Sequence, residues 1–199
     1  RVKLLLVRHG QTVWNADRRF QGQADPELSE RGRTQAAALG QALRGRRLSA
    51  VYSSPLRRAR ETAEIAVSGT GLPVTVLADL RELGLGRWEG HRVDEVITAD
   101  GAHYRRWLGQ PLDCSPPGGE PLQSVERRVL SAVDRITAAH GDGEEVLVVG
   151  HGGVIGVYCC HLLKLSLNAL WRLRIDNAAL TVVAPPRLVS FNDTAHLRG

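Results

Sequence analysis

The 199-residue sequence contains no methionine and only three cysteines, Cys114, Cys159 and Cys160. Thiols that are few and odd in number cannot build a disulfide framework, so a reducing, cytoplasmic setting is expected. Long apolar runs are also missing. None exceeds about five residues, against the roughly 20 that a membrane-spanning helix requires, so no membrane partner is expected. No basic-then-apolar leader with a small-residue cleavage site is present, which argues against a secretion signal, and the lack of methionine makes Arg1 the expected product of a trimmed start. Aromatic residues make up 5% of the chain and offer few stacking platforms for nucleic acid. Lysine is nearly absent, so the net charge of +5 comes from arginine. The arginines fall in scattered pairs (Arg18-Arg19, Arg46-Arg47, Arg57-Arg58, Arg105-Arg106, Arg127-Arg128) and form no clustered patch. That distribution points away from nucleic acid and toward small anions. Short His-x-x-x-His and Cys-x-x-Cys spacings do not occur, and neither a metal nor another cofactor is expected.

Two stretches organise what is present. Leu4-Leu5-Leu6-Val7 runs into Arg8-His9-Gly10, and Val146-Leu147-Val148-Val149 runs into Gly150-His151-Gly152-Gly153. A short continuous apolar run reads as a strand buried on both faces, with helices above and below. The polar residues then fall at the carboxyl ends of the strands, where open α/β sheets bind ligands. Gly10 allows a sharp turn with no Cβ in the way of a ligand. Further strands are expected at residues 48–53, 74–77, 172–175 and 180–184, with an edge piece at 188–191. Helices are expected at 30–43 behind an N-cap at Ser29, and at 56–67, 121–140 and 154–163. Two short helices are expected at 93–98 and 102–108, before the Pro116-Pro117-Gly118-Gly119 loop. The alternation of strand and helix predicts an α/β fold, a three-layer α/β/α sandwich on a mostly parallel sheet. With 43% hydrophobic residues, residues 1–199 suit a single domain.

A lone histidine at a strand tip reads as a loop hydrogen-bonder as readily as a nucleophile or ligand. Two in matching positions favour a site. Arginines beside them repel a metal cation and suit a phosphate. The Arg57-Arg58 pair opens a helix, where cations are disfavoured, and a local rule broken at the ligand-binding edge hints at function. Glu82 follows the third strand, ahead of Gly84 and Gly86, and near a phosphoryl group it becomes a candidate proton donor.

These residues carry a resemblance. Leu6-Val7-Arg8-His9-Gly10-Gln11-Thr12 with Trp14-Asn15, Ser53-Ser54-Pro55-Leu56-Arg57-Arg58-Ala59 with Thr62-Ala63, Leu80-Arg81-Glu82-Leu83 with Gly86, Trp88-Glu89-Gly90, and Val148-Val149-Gly150-His151-Gly152-Gly153 appear in the order typical of the histidine phosphatase superfamily. That family includes cofactor-dependent phosphoglycerate mutases and small bacterial phosphatases. The resemblance implies that His9 is the nucleophile that becomes a phosphohistidine. It implies that Arg8, Arg58 and a protonated His151 complete the phosphate pocket, and that Glu82 is the general acid. The arginine before the alanine is the family's pocket residue, which selects Arg58 over Arg57. Asn15 matches a position that touches phosphate in relatives, and Gln21 and Gly152 join it as substrate-binding candidates. A neutral His9 further requires a hydrogen-bond acceptor at its other ring nitrogen, expected to be a backbone carbonyl. The implied enzyme hydrolyses phosphomonoesters without metal, at acidic to neutral pH.

Mutases of the family carry a longer middle segment. Here only about thirty residues separate Trp88-Glu89-Gly90 from Gly118-Gly119-Glu120, so the chain resembles the compact phosphatase branch. A phosphoglycerate mutase is the alternative, and a non-catalytic phospho-ligand binding module the second. Pro117-Gly118-Gly119-Glu120 also resembles a stretch common in that branch, with Pro121 in place of the usual serine. Residues 87–117 are expected to cover the pocket. There His91, Arg92, His103, Tyr104, Arg105, Arg106 and Trp107 read either as ordinary polar surface with Trp107 as a packing anchor, or as charge for a second anionic group on a small phosphorylated substrate. Trp171 and the C-terminal strands could edge a homodimer or belong to the core.

Overall fold

A computed structural model of the chain describes residues 1–198. In chain order its elements are β1 (Lys3–Arg8), α1 (Val13–Ala16), α2 (Glu30–Ala42), β2 (Leu48–Ser53), α3 (Arg57–Ala66), β3 (Val74–Val76), α4 (Val93–Gly109), α5 (Leu122–Ala139), β4 (Glu145–Gly150), α6 (Gly152–Leu162), β5 (Leu180–Ala184) and β6 (Arg187–Asp193). The sheet runs β3-β2-β4-β1-β5-β6. The β3-β2, β2-β4 and β4-β1 pairs are parallel, while β1-β5 and β5-β6 are antiparallel. β1 and β4 therefore lie side by side at the centre, in the register Leu6↔Val148 and Arg8↔Gly150.

The unbroken apolar runs of the two central strands have the expected physical cause. Leu4, Leu6, Val146 and Val148 face one side and join a core with Val125, Val129 and Ile136 of α5 and the apolar α6. Leu5, Val7, Leu147 and Val149 face the other and join Leu39 of α2 and Ala59 and Ala63 of α3. With both faces covered, neither strand can alternate polar and apolar residues. α6 is buried from Gly153 to Cys160, as a helix apolar on all sides must be. Ser29 caps α2 by accepting from the Gly32 amide at 3.1 Å.

The structure departs from the sequence expectations in three places. Residues 172–175 form no strand; a 3-10 turn spans Leu167–Arg172, and the Ile175 carbonyl accepts from Arg8 Nη1 at 2.7 Å where a strand would have given it to a ladder. The two short helices of the middle segment run together as α4, broken only at Asp100, whose backbone is non-helical. The lack of a Cβ at Gly10 serves packing against α2: a Cβ there would lie 2.5 Å from the Gly32 carbonyl oxygen. Among the described residues, no helix is long and apolar enough to cross a membrane. Leu147 is fully buried in the centre of the sheet. Truncating it as Leu147→Ala should cost about 2–5 kcal/mol in urea unfolding, whereas a change below ~1 kcal/mol would mean that this packing does not carry the core.

Candidate functional site

The carboxyl ends of β1, β4 and β2 converge. The His9 amide donates to Gly150 O at 3.0 Å and the Ser54 amide to Val149 O at 3.0 Å, so the residue just past each strand meets its neighbours. The His9 and His151 rings lie with centroids 5.3 Å apart, tilted by 59°. His9 Nδ1 lies 2.7 Å from Gly10 O. A carbonyl only accepts, so Nδ1 carries the proton and Nε2 presents its lone pair. Burial pushes the His9 pKa well below the usual 6.5, and the Arg58 and Arg8 charges push it further. His9 is a neutral imidazole of fixed tautomer.

Arg58 sits in the first turn of α3, almost wholly buried. Its Nε points at His9 Nε2, 3.3 Å away, while Nη1 and Nη2 donate to Ala24 O and Gly22 O, each at 2.7 Å. Desolvation lowers its pKa to about 10, a loss only partly countered by Glu82 and Asp25. Those two carbonyls belong to a loop that Glu89 holds through the Gln23 amide at 2.9 Å, while the Gly90 amide donates to Phe20 O at 2.8 Å. The Trp88-Glu89-Gly90 motif thus fixes Arg58 at one remove. Arg8 donates through Nη1 to Ile175 O, and its buried Nε has no partner. Burial lowers the Arg8 pKa as well, against opposing pulls from Glu82 and Asp176.

Burial first, then Arg58, His9 and Arg8, push the His151 pKa well below 6.5, a direction that opposes the protonated form. Its Nε2 lies 2.7 Å from Ser54 Oγ. That hydroxyl already accepts from the Leu56 amide; assigning its proton to His151 Nε2 puts the ring proton on Nδ1, which has no partner.

Glu82 enters from the loop after β3. Its carboxylate accepts from Leu83 N at 2.9 Å and Gly153 N at 3.1 Å. A Cβ on Gly153 would lie 2.6 Å from Glu82 Oε1, so the second glycine after His151 admits this carboxylate, and its amide is not free for a ligand. Gly152 lies under Arg8, whose Nε would be 3.5 Å from a Cβ there.

Thr12, fully buried, orients two amides. Its backbone N–H donates to Asn15 Oδ1 at 3.0 Å and its hydroxyl to Gln21 Oε1 at 2.8 Å. With both amide oxygens so occupied, the NH2 ends remain as the available donors of these side chains. The cleft lined by Arg8, His9, Asn15, Gln21, Arg58 and Glu82 measures about 200 Å³, with Phe20, Leu83, Leu85, Trp107 and Trp171 as its apolar wall. Two larger surface depressions, of about 840 and 680 Å³, are lined by neither His9 nor His151. A cleft that sets the guanidiniums of Arg8 and Arg58 and the amides of Asn15 and Gln21 beside the unprotonated His9 Nε2 suits a tetrahedral oxyanion. Among the described residues, no group of three His, Cys, Asp or Glu side chains is placed to hold a metal.

Of the seven side chains singled out in the middle segment, Trp107 alone lines the cleft. Arg92 pairs with Asp17 at 2.8 Å, His103 bonds Ser115 O at 2.7 Å, and Arg105 and Arg106 are exposed. Tyr104 packs with Phe20, Trp88 and Trp107. Trp171 packs within the chain against Trp107, centroids 4.6 Å apart and rings tilted by 52°. Sequence reasoning missed Arg19 at the cleft and Asn177, whose Nδ2 donates to His9 O at 3.1 Å and Asn15 Oδ1 at 3.3 Å. It also missed the hold of Glu89, although its motif was in view.

Known proteins resemble the chain in sequence and in fold. The family model described as histidine phosphatase superfamily (branch 1) matches residues 4–189. Phosphoserine phosphatase 1 of Hydrogenobacter thermophilus is 36% identical over 200 residues, covering 98% of this chain and 94% of that protein. Bacillus stearothermophilus YhfR superposes with a TM-score of 0.92 at 35% identity, all of both chains being covered. Mycobacterial glucosyl-3-phosphoglycerate phosphatase Rv2419c, complexed with VO3, gives 0.90 at 35% identity over 96% of this chain and 99% of that one. With these matches over nearly its whole length, the chain belongs to the histidine phosphatase superfamily, branch 1.

Proposed function

We propose that the protein is a metal-independent phosphomonoesterase that acts through a phosphohistidine on His9. The observation that carries this reading is the 2.7 Å hydrogen bond from His9 Nδ1 to the Gly10 carbonyl, which leaves Nε2 unprotonated between two guanidinium groups. In the first step the Nε2 lone pair forms a bond to phosphorus, the ester P–O bond breaks, and the leaving alkoxide takes a proton from the Glu82 carboxyl. In the second, the Glu82 carboxylate takes a proton from water, the water oxygen bonds to phosphorus, and the P–N bond breaks with its electron pair returning to Nε2. Arg8, Arg58 and the Nδ1–H of His151 stabilise charge on the three equatorial oxygens, and the Asn15 and Gln21 amides bind the substrate phosphate beside them. Family membership and phosphatase-named relatives support a phosphatase. The substrate is a small phosphorylated metabolite, and residues 87–117 act as a cover that contributes Trp107 to the cleft.

Glu82→Gln should lower kcat on phosphoserine by on the order of 10²–10⁴ and His9→Ala should abolish turnover, while a chelator leaves the wild type unchanged. Inorganic phosphate is released, without stimulation by 2,3-bisphosphoglycerate. Full turnover by Glu82→Gln, or phosphate moved between carbons instead of released, would contradict the reading. Because the His9 pKa is depressed, the nucleophile stays neutral as pH falls through the ordinary histidine value of 6.5. The kcat profile should show no loss centred there, and a loss at 6.5 that follows His9 would count against it.

A further inference from the structure

One buried cation has no part in the steps above. Arg128, on α5, is 8% exposed, and all five of its N–H groups are engaged. Nε and Nη2 grip Glu120 at 2.8 and 2.9 Å as a two-pronged ion pair. Nη1 donates to Asp79 O at 2.8 Å and Arg81 O at 2.5 Å, and Nη2 also to Glu82 O at 3.0 Å. Three carbonyls of the four residues 79–82 are thus held by one guanidinium. Glu120 grips the other side of Glu82: its Oε2 accepts from Gly84 N at 3.2 Å, and its own amide donates to Gly84 O at 2.8 Å. Gln23 Nε2 bridges Glu82 O at 3.2 Å and Glu120 Oε2 at 3.4 Å.

The Glu82 segment needs such support. It lies between a single 3-10 turn, Ala78–Leu80, and a second at Gly86–Trp88, with no strand or helix ladder of its own. A general acid must sit within hydrogen-bond reach of the leaving oxygen, and a displacement of about 1 Å can cost on the order of 10²-fold. The Lys side chain, a point charge with three donors on a flexible stem, cannot reproduce this five-donor planar fork.

We infer that Arg128 and Glu120 are positioning residues that set the Glu82 carboxyl at the leaving-group oxygen. The inference rests on the reading of Glu82 as general acid and deepens it. A positioning role has a signature that a merely structural one lacks, since it scales with how much the leaving group needs a proton. p-Nitrophenolate leaves without protonation, whereas an alkoxide such as that of glycerol phosphate does not.

The test compares kcat/KM, which reports the steps up to departure of the leaving group and not the later hydrolysis in which Glu82 serves as base, on p-nitrophenyl phosphate and glycerol phosphate for wild type, Glu82→Gln, Arg128→Lys, Arg128→Gln, Glu120→Gln and the double variant Glu82→Gln/Arg128→Gln. Arg128→Gln and Glu120→Gln should lose on the order of 10-fold to 10²-fold on glycerol phosphate and less than about 3-fold on p-nitrophenyl phosphate, with Arg128→Lys giving no full rescue. The double variant should be no slower than Glu82→Gln alone. Should Arg128→Gln fail to fold, Glu120→Gln, which keeps shape and loses charge at a partly exposed position, gives the same reading. Equal losses on both substrates by folded variants, or additive losses in the double variant, would overturn the inference while leaving Glu82 as the acid. If Glu82→Gln itself shows no difference between the two leaving groups, the reading of Glu82 fails and takes this inference with it.

Discussion

The hydrogen bond from His9 Nδ1 to the carbonyl of the very next residue, Gly10, is what the rest of the site depends on. Without it, an imidazole buried beside two guanidinium groups would be free to turn its N–H toward either of them and to present no lone pair. Desolvation and the two positive charges suppress the imidazolium, and the carbonyl selects the tautomer among the neutral forms. The remaining architecture answers a cost this creates. Two guanidiniums are kept largely out of water and, among the described residues, no carboxylate is bonded directly to either; each is held by backbone carbonyls, Ile175 for Arg8 and Gly22 with Ala24 for Arg58. The positive field they leave behind is the feature that a phosphate dianion would neutralise.

The sheet supplies the precision. β1 and β4 pair in register through six residues, so His9 and His151 emerge side by side although the chain between them is long. The antiparallel neighbour β5 begins just after the Ile175–Ala178 turn, where the Ala178 amide donates to Arg8 O at 2.8 Å. Phosphoryl transfer asks for in-line placement and charge stabilisation more than for elaborate covalent chemistry. Side chains set at the ends of a packed parallel sheet meet that demand better than side chains on a free loop.

Much of this was legible in the residues because the signals were local. An apolar run ending in Arg-His-Gly or Gly-His-Gly-Gly states both the burial of a strand and the polarity of its tip. Arg58 was separable from Arg57 only through the family pattern, since both open the same helix; the fold buries one and leaves the other paired with Glu27 at the surface. The charges of α4 stay open between surface and pocket in the sequence because a helix with cations on several faces does not state which face meets the cleft, and here Trp107 does. Asn177 gives no signal, for it reaches His9 across the whole chain from a turn between two stretches that read as strands. Arg128 did leave a trace: three residues beyond Val125, beside Val129, it sits on the buried stripe of α5 where a cation requires partners. The depression of the His151 pKa could not be read from spacing, because it follows from burial that only the packed molecule supplies.

The central claim is a covalent one, that phosphorus passes through Nε2 of His9. Rapid quenching of wild type during turnover of phosphoserine, followed by peptide mapping under alkaline conditions that preserve phosphoramidates, tests it directly. The account predicts phosphate on the peptide containing His9, appearing and decaying at rates that match turnover. Phosphate on another residue, or sustained turnover with no phosphoenzyme while free phosphate accumulates from direct attack by water, would contradict it.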